Sequence, residues 1–223
     1  MTLSIAAWDH ETGQLGAAIS SSSISVASRC LHWRPSVGIA LSQNITDPRL
    51  GTRLLSLLED GTEVGAAIDT VAQSTPHIEF RQLGLIDGHG NTGMFTGDAV
   101  LGCFASAEGR HCVAAGNLLD NDQVPAAMVE TFTQSSGSFG SRVLGALIAG
   151  VKAGGEAGSL HSAGMLIGGE PSWPKAELRI DWDDDPIAKM IAGWEVYEPQ
   201  IDDYVTRAYN PKDAPSYGVP GDP

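Results

Sequence analysis

The sequence predicts an α+β protein in which mainly antiparallel β-sheets are covered by helices on their outer sides. Stretches with period-two alternation occur in consecutive runs, and pairs of helix-like stretches separate those runs. Two helices begin at an Asp-Pro pair, Asp47-Pro48 and Asp185-Pro186, in which the aspartate caps the helix and the proline starts it. Since strands that follow one another along the chain favour antiparallel pairing, helices outside the sheets would bury both strand faces.

The beginning of the chain predicts a β-hairpin. Apolar residues alternate along residues 3–8, the turn-forming run Asp9–Gly13 follows, and the alternation resumes over residues 15–19. Gly16 and the alanines after it indicate that another layer packs closely against the second strand.

The next segment predicts two strands and then an antiparallel pair of helices. Residues 24–26 are expected to form a further strand, and residues 37–41 alternate again. Leucines at helical spacing occupy residues 50–58, and Gly61 ends that helix. A second helix carries apolar residues between positions 64 and 72, so the short turn between the two helices makes them antiparallel neighbours.

The remainder of the chain predicts more strands, two helices, two strands and a last helix. The turn sequence Gly88–Asn91 favours a hairpin, and Gly154-Gly155 ends the second of the two helices. A single domain is expected over residues 1–209, with a Pro- and Gly-rich arm at residues 210–223. The predicted strands are Phe80–Asp87, Thr92–Thr96, Val100–Ala105, Cys112–Ala115, Ala163–Ile167 and Glu177–Trp182, and the predicted helices cover residues 124–132, 143–151 and 185–205, the last broken near Pro199.

Composition excludes several classes of function. The net charge of −14 argues against nucleic-acid binding and against an anionic membrane surface, because both require an excess of Lys and Arg. No apolar stretch approaches the length of a membrane span, and the N-terminus lacks the basic region of a signal peptide. Three widely spaced cysteines suit a reducing compartment. We therefore expect a cytoplasmic protein.

Common catalytic and metal-binding motifs do not occur in the sequence. There is no GxSxG elbow, no P-loop, no HExxH and no CxxC pair, and the six histidines do not follow metal-ligand spacing. The sequence therefore predicts neither a metal nor another cofactor. A small-molecule substrate or ligand is the expected partner.

The position of Thr2 gives the chain one candidate nucleophile. Thr2 begins the first strand and follows Met1, and it is small enough to permit removal of an initiator methionine. A threonine with a free α-amine carries both a hydroxyl nucleophile and its own base, because an α-amine has a pKa of about 7.7–8.0. The alternative is a threonine that leads the strand and has no chemical role.

Several segments of the chain resemble a known family. The opening hairpin looks like that of N-terminal nucleophile (Ntn) hydrolases such as proteasome β subunits, and the chain more specifically resembles the bacterial and archaeal family "domain of unknown function 1028". The resemblance implies a four-layer αββα sandwich and no settled reaction. It rests on Thr2–Ser21, Gln43–Gly51, Arg81–Asp87, Phe95–Gly97, Gly116–Leu119, His161–Ala163 and Glu177–Asp181.

The Ntn resemblance suggests which residues surround Thr2. Thr2 would attack a carbonyl, and Asn117, which follows Gly116 at a strand end, would hold the oxyanion together with nearby backbone N–H groups. For Asn117 and for the further candidates named next, the alternatives are roles without chemistry: a turn-forming asparagine, a strand-terminal serine and a surface arginine. The remaining candidates lie at or just beyond strand ends and are assigned to substrate binding: Ser20, Gln43, Asn44 and Arg81.

Two departures from proteasome-type sites keep a second hypothesis open. Those sites place an acid near the end of the second strand and a lysine on the third, whereas this chain has Ser20-Ser21 and no lysine before Lys152. The leading hypothesis is an Ntn-type hydrolase of a small amide or peptide-like substrate. The alternatives are a non-catalytic small-molecule-binding protein and an assembly protein. A homo-oligomer is expected.

Overall fold

The structure, a computed structural model, describes residues 1–219 and forms ten strands and seven α-helices within them. Two short 3₁₀ helices, Ile78–Phe80 and Glu198–Gln200, are also present. The strands are β1 (Thr2–Trp8), β2 (Leu15–Ser21), β3 (Leu31–Arg34), β4 (Gly38–Asn44), β5 (Arg81–Asp87), β6 (Thr92–Thr96), β7 (Cys103–Gly109), β8 (Cys112–Leu119), β9 (Ser162–Gly168) and β10 (Ala176–Ile180). The helices are α1 (Val26–Cys30), α2 (Pro48–Glu59), α3 (Val64–Ser74), α4 (Val124–Gln134), α5 (Phe139–Lys152), α6 (Pro186–Tyr197) and α7 (Ile201–Tyr209).

The strands form two antiparallel sheets. The larger sheet has six strands in the order β10-β9-β2-β1-β8-β7, and the smaller has four in the order β3-β4-β5-β6. Every strand pairing in both sheets is antiparallel, as the consecutive runs of strands predict. Strand β1 therefore lies inside the six-stranded sheet, between β2 and β8.

Side-chain alternation along the strands produces three apolar interfaces. Leu3 and Ile5 face α4 and α5, whereas Ala6 on the other side of β1 packs between the sheets against β4. On the far side of the small sheet, Leu83 and Leu85 pack beneath α2 and α3. The layers thus run helix, sheet, sheet, helix, and the predicted four-layer αββα sandwich is confirmed.

Gly16 shows how closely α5 approaches the six-stranded sheet. A Cβ atom at this position would lie 2.8 Å from both the Ile167 side chain and the Phe139 ring. Only glycine permits this contact, because real Cβ atoms do not approach other atoms so closely. The predicted close packing against the second strand is therefore present.

The helix boundaries follow their predicted caps. The Asp47 side chain accepts a hydrogen bond from the backbone N–H of Arg49 at 3.1 Å, and Asp185 accepts one from Ala188 at 3.1 Å. Each aspartate is followed by a proline at the first helical position. The break near Pro199 is also confirmed, since the 3₁₀ turn Glu198–Gln200 separates α6 from α7.

The predicted strand through residues 24–26 is wrong. Ser25 has a left-handed backbone with φ of 54°, which turns the chain away from the sheet and into the short helix α1. Strand β3 directly follows α1 and was not predicted, because only four residues form it. Further boundaries moved: the strand predicted at Val100–Ala105 begins at Cys103, β8 continues to Leu119, and the strand predicted at Glu177–Trp182 ends at Ile180.

The end of the chain is described in part. Helix α7 ends at Tyr209, where the predicted arm begins, and residues 220–223 of that arm lie outside the described residues. The division of the chain at residue 209 stays a prediction. Among the helices of residues 1–219, none combines the length and hydropathy that crossing a membrane requires.

Candidate functional site

Thr2 lies in a row of polar side chains that crosses four neighbouring strands. Asn117 on β8 is directly opposite Thr2, and continuing the β1–β2 register by one position places Ser21 on its other side. Ser162 on β9 is opposite Ser21. Because directly opposed residues of antiparallel strands project to the same face, all four side chains face the space between the sheets. The row is buried, with Thr2 only 5% exposed.

The carbonyl oxygen of Met1 occupies the space beside the Thr2 hydroxyl. It accepts hydrogen bonds from the hydroxyls of both Thr2 and Ser21. In this form the nitrogen of Thr2 belongs to a peptide bond and has no lone pair available as a base. Cleavage of the Met1–Thr2 bond would create an α-amine on Thr2 and release both hydroxyls from the Met1 carbonyl.

A buried hydrogen-bond network lies behind Thr2 and joins the two sheets. The Ser4 hydroxyl donates to Gln43 Oε1 at 2.7 Å, and Gln43 Nε2 donates to Gln82 Oε1 at 2.8 Å. Gln82 Oε1 also accepts from Asn117 Nδ2 at 3.2 Å, while Gln82 Nε2 donates to the carbonyl of Gly116 at 3.2 Å. The network therefore fixes the direction in which each amide points.

The side-chain amide of Asn117 directs its nitrogen toward Gln82 and its oxygen away from Gln82. Its Nδ2 donates to Gln82 Oε1, and exchanging the two ends of the amide would place two acceptor oxygens against each other. Asn117 Oδ1 is fully buried and has no hydrogen-bond partner among residues 1–219. The side chain thus offers an acceptor on the side away from Gln82, whereas the sequence suggested a donor to an oxyanion.

Glu156 places a carboxylate across the N-terminal end of β1. It lies in the connection after α5, forms an isolated bridge with Leu119 at the end of β8, and accepts a hydrogen bond from the Ser22 N–H at 3.0 Å just past the end of β2. Burial raises the pKa of Glu156 to about 7, against the opposing effects of the N-terminal ammonium and the Ser22 hydrogen bonds. Its Oε1 is buried and has no hydrogen-bond partner within the residues that the structure describes.

The other predicted site residues lie elsewhere. Ser20 is opposite Leu3, projects to the α5 side of the sheet and donates to the Ser162 carbonyl at 2.9 Å. Asn44 and Arg81 pair with each other at one end of the two inner strands of the small sheet. Both are held by backbone carbonyls, with Asn44 Nδ2 donating to the Phe80 carbonyl at 2.6 Å and Arg81 to that of Ile45.

Gln43 does join Thr2 and Asn117 on the inner face. Both ends of its amide are engaged in the network between the sheets, so its side chain supports the floor behind Thr2. The structure thus brings together three of the six predicted residues. In the described part of the chain, no group of three His, Cys, Asp or Glu side chains has the arrangement of a metal site.

A family model described as "Family of unknown function (DUF1028)" matches residues 2–190 of the chain. The chain belongs to the DUF1028 family. The match begins at Thr2, so it includes the strand that carries the candidate nucleophile, and it also includes Asn117 and Glu156.

Solved structures give further comparisons for this DUF1028 chain. The crystal structure of protein SPO2555 from Silicibacter pomeroyi, also assigned to DUF1028, is 32% identical, with 91% of this chain and 89% of that chain covered and a TM-score of 0.83. An Anbu mutant from Hyphomicrobium sp. strain MC1 is 14% identical, with 92% and 99% covered and a TM-score of 0.44. Anbu (ancestral beta-subunit) from Yersinia bercovieri is 13% identical, with 91% and 96% covered and a TM-score of 0.40. No curated protein matches the chain.

Sequence reasoning missed several residues of this DUF1028 site. Ser4 and Ser21 follow from the hairpin register once the length of the turn is known, because both share the face of Thr2. Gln82 lies on the inner face of a correctly predicted strand. No sequence pattern pointed to Glu156, because it lies outside the helices and strands, in a loop rich in Gly and Ala.

A second cleft of this DUF1028 chain lies at the opposite end of β1. It has a volume of about 320 Å³ and is lined by Asp9, Arg142, Lys175 and Glu198, among other residues. Arg142 is 3.3 Å from Asp9, and Lys175 is 3.0 Å from Asp202. None of the four side chains in the row around Thr2 lines this cleft.

Proposed function

We propose that this chain is an N-terminal nucleophile hydrolase of small amide or peptide-like substrates, with Thr2 as the nucleophile after the Met1–Thr2 bond has been cleaved. One observation carries the proposal. The Thr2 hydroxyl lies in a buried row between Ser21 and Asn117, and the Glu156 carboxylate lies across the strand end where a new α-amine would form. Such an amine lies on the same residue as the hydroxyl and can accept its proton.

The reaction would proceed through an ester on Thr2. The α-amine accepts the hydroxyl proton while Oγ1 attacks the substrate carbonyl carbon, and the resulting ammonium gives that proton to the departing amine nitrogen. Water then hydrolyses the ester, with the α-amine again acting as the base, which restores the Thr2 hydroxyl and releases the acid. The Ser21 hydroxyl, released from the Met1 carbonyl, is placed beside Oγ1 to donate to a developing oxyanion.

The experiment uses protein that starts at Thr2, prepared by proteolytic removal of an N-terminal extension. An electrophilic acyl probe is expected to add one mass increment to Thr2, which peptide mapping identifies. Thr2→Ser keeps the hydroxyl and is expected to keep labelling, whereas Thr2→Val has nearly the same shape and is expected to abolish it. Equal labelling of Thr2→Val would exclude Thr2 as the nucleophile.

Location and assembly form a further part of the proposal. A cytoplasmic location is supported by the three free cysteines, Cys30, Cys103 and Cys112. A homo-oligomer is supported by large apolar side chains that are exposed in the single chain, such as Trp182 and Val196. Analytical ultracentrifugation tests the assembly, and sedimentation as a monomer at all concentrations would contradict it.

The second cleft supports one alternative function, a non-catalytic small-molecule-binding protein. Its cations and carboxylates surround a volume of about 320 Å³ away from Thr2. In that case a ligand would raise the melting temperature of the protein and would be recovered chemically unchanged. It would not raise the melting temperature of the Arg142→Met variant. A Thr2→Val variant would bind it normally.

A further inference from the structure

Two buried acceptor atoms near the start of β1 have no hydrogen-bond partner in the described part of the chain. Asn117 Oδ1 and Glu156 Oε1 both lack one, and their residues are 0% and 7% exposed. Buried polar atoms are almost always hydrogen-bonded, because water solvates them in the unfolded chain. An unpartnered pair in one place therefore indicates that a donor group belongs there.

The two acceptors lie around the N-terminal end of one strand. Asn117 is directly opposite Thr2 on β8. Glu156 contacts the C-terminal ends of the two strands that flank β1, through its bridge to Leu119, the last residue of β8, and its hydrogen bond from Ser22, the residue after β2. The backbone nitrogen of Thr2 begins β1, which pairs with β2 on one side and with β8 on the other.

The chemistry of the two acceptor oxygens indicates which kind of donor group would satisfy them. A carboxylate oxygen and an amide oxygen are both suited to an ammonium group, which donates three hydrogen bonds and carries a positive charge. While Met1 is attached, the nitrogen of Thr2 is a neutral amide with a single N–H. Cleavage of the Met1–Thr2 bond converts that nitrogen into an ammonium and supplies the missing donors.

We propose that Glu156 is the positioning residue for the α-amine of Thr2, with Asn117 Oδ1 as its second acceptor. This inference rests on the proposed function, in which that amine is the base. Glu156 thus takes the part of the acid that proteasome-type sites carry on the second strand, but it comes from the connection between α5 and β9. With two N–H bonds directed at these acceptors, the nitrogen lone pair of the neutral amine is left for the Thr2 hydroxyl.

The charge balance of the site follows from its neighbours. Burial raises the pKa of Glu156 to about 7, and the ammonium of Met1 in the uncleaved chain opposes that shift. The Cys30 thiol also faces the N-terminus, and burial raises its pKa as well, so it remains uncharged near neutral pH. An α-amine of Thr2 that Glu156 holds would titrate together with this carboxyl group as a coupled pair. The negative carboxylate stabilises the ammonium, so its removal is expected to lower the pKa of the amine.

The test measures the amine itself. Protein that starts at Thr2 is prepared with ¹³C-labelled threonine, and the Thr2 signal is identified as the one missing from Thr2→Ser. Its chemical shift is followed by NMR against pH in the unsubstituted protein, in Glu156→Gln and in the matched surface control Glu195→Gln. We expect the amine pKa of Glu156→Gln to fall by about one unit and that of Glu195→Gln to stay unchanged. An unchanged pKa in Glu156→Gln would overturn the inference.

The unsubstituted protein provides a second measurement that does not depend on whether Glu156→Gln folds. Coupling to Glu156 predicts a two-step titration of the Thr2 signal, and a single step at the ordinary pKa of an α-amine would overturn the inference. Neither measurement requires hydrolysis of any substrate. Failure of the proposed function, seen as unchanged probe labelling of Thr2→Val, is therefore distinguishable from failure of this inference.

Discussion

Thr2 has a hydroxyl neighbour on one side and an amide neighbour on the other because strands pair with β1 along both of its edges. Ser21 and Asn117 project to its face, whereas Ser20, one residue before Ser21, projects to the opposite face. Successive side chains of a strand point to opposite faces of the sheet, so Ser20 and Ser21 cannot share a face. One position in the register therefore separates a residue of the candidate site from a residue of the outer core.

Adjacent serines on β2 provide a matched pair of substitutions. Under the proposed function, Ser21→Ala removes a donor beside Thr2 Oγ1 and is expected to slow acyl-probe labelling about tenfold. Ser20→Ala removes the hydrogen bond to the Ser162 carbonyl and is expected to lower the free energy of unfolding by about 1 kcal/mol without changing labelling. Labelling rates and urea denaturation measure the two effects, and equal labelling rates for both variants would contradict the assignment.

Glu156 makes the stability of the Met1-bearing chain depend on pH. Its folded-state pKa of about 7 lies above the ordinary value of 4.5. The folded chain therefore retains a proton that the unfolded chain releases. The free energy of unfolding then falls as pH rises from about 4.5 to about 7, and the loss approaches about 3 kcal/mol.

Replacing this carboxyl group with an amide is expected to remove that pH dependence. Glu156→Gln should match the unsubstituted chain near pH 4 and exceed its stability above pH 7 by up to about 3 kcal/mol. Urea denaturation across this range measures the difference, with Glu195→Gln as the exposed control. A difference between the two proteins that does not vary with pH would show that burial does not shift this carboxyl group.

At the scale of elements, the two sheets are joined at this end by amide side chains. Gln43 on β4 and Gln82 on β5 meet Ser4 on β1 and Asn117 on β8 in one buried network. Further along the strands the interface is apolar, with Ile39, among others, in its centre. A fully connected network makes the sheets' relative position specific, because each member loses its partner if they slide.

Gln82 is the centre of that network, and its removal is expected to be costly. Gln82→Leu keeps nearly the same volume but leaves Gln43 Nε2 and Asn117 Nδ2 without acceptors. We expect the free energy of unfolding to fall by about 3 kcal/mol. Gln73→Leu, on the exposed side of α3, is the control and should change stability by less than about 0.5 kcal/mol. Similar values for the two variants in urea denaturation would show that the network contributes little.

At the scale of the whole molecule, two helical layers cover the outer faces of two sheets that pack against each other, so apolar cores lie on both faces of each sheet. The six-stranded sheet packs on helices through one face and on the small sheet through the other. Helix α1 contacts β2 of the large sheet and β4 of the small sheet, and these two strands also contact each other. The chain from β1 to α7 is therefore expected to unfold as one unit.

Truncation after Asn210 tests where this unit ends. The arm beyond α7 contacts it through Arg207, which donates to the Pro215 carbonyl at 2.9 Å. We expect the shortened chain to show a single unfolding transition with a melting temperature lowered by less than about 4 °C. A second transition, or loss of folded protein, would show that the arm belongs to the domain.

Much of the architecture follows from local pattern. The hairpin, both capped helices and the break near Pro199 are readable because alternation, an aspartate cap and a proline act within a few residues. The segment around Ser25 is not readable in this way. Its left-handed turn is held by a hydrogen bond from Ser25 N to the Asp181 carbonyl at 3.0 Å, and Asp181 is remote in sequence.

The sequence by itself determined most of the elements, the mainly antiparallel pairing and the position of Thr2 at the start of the first strand, since these depend on short-range periodicity and on chain order. The tertiary structure alone decided that Glu156 lies over that strand end, that Asn117 turns its oxygen outward, and that Ser21 rather than Ser20 adjoins Thr2. These facts depend on contacts between distant segments. Only the packing of the layers and the requirement that buried polar groups find partners set such contacts.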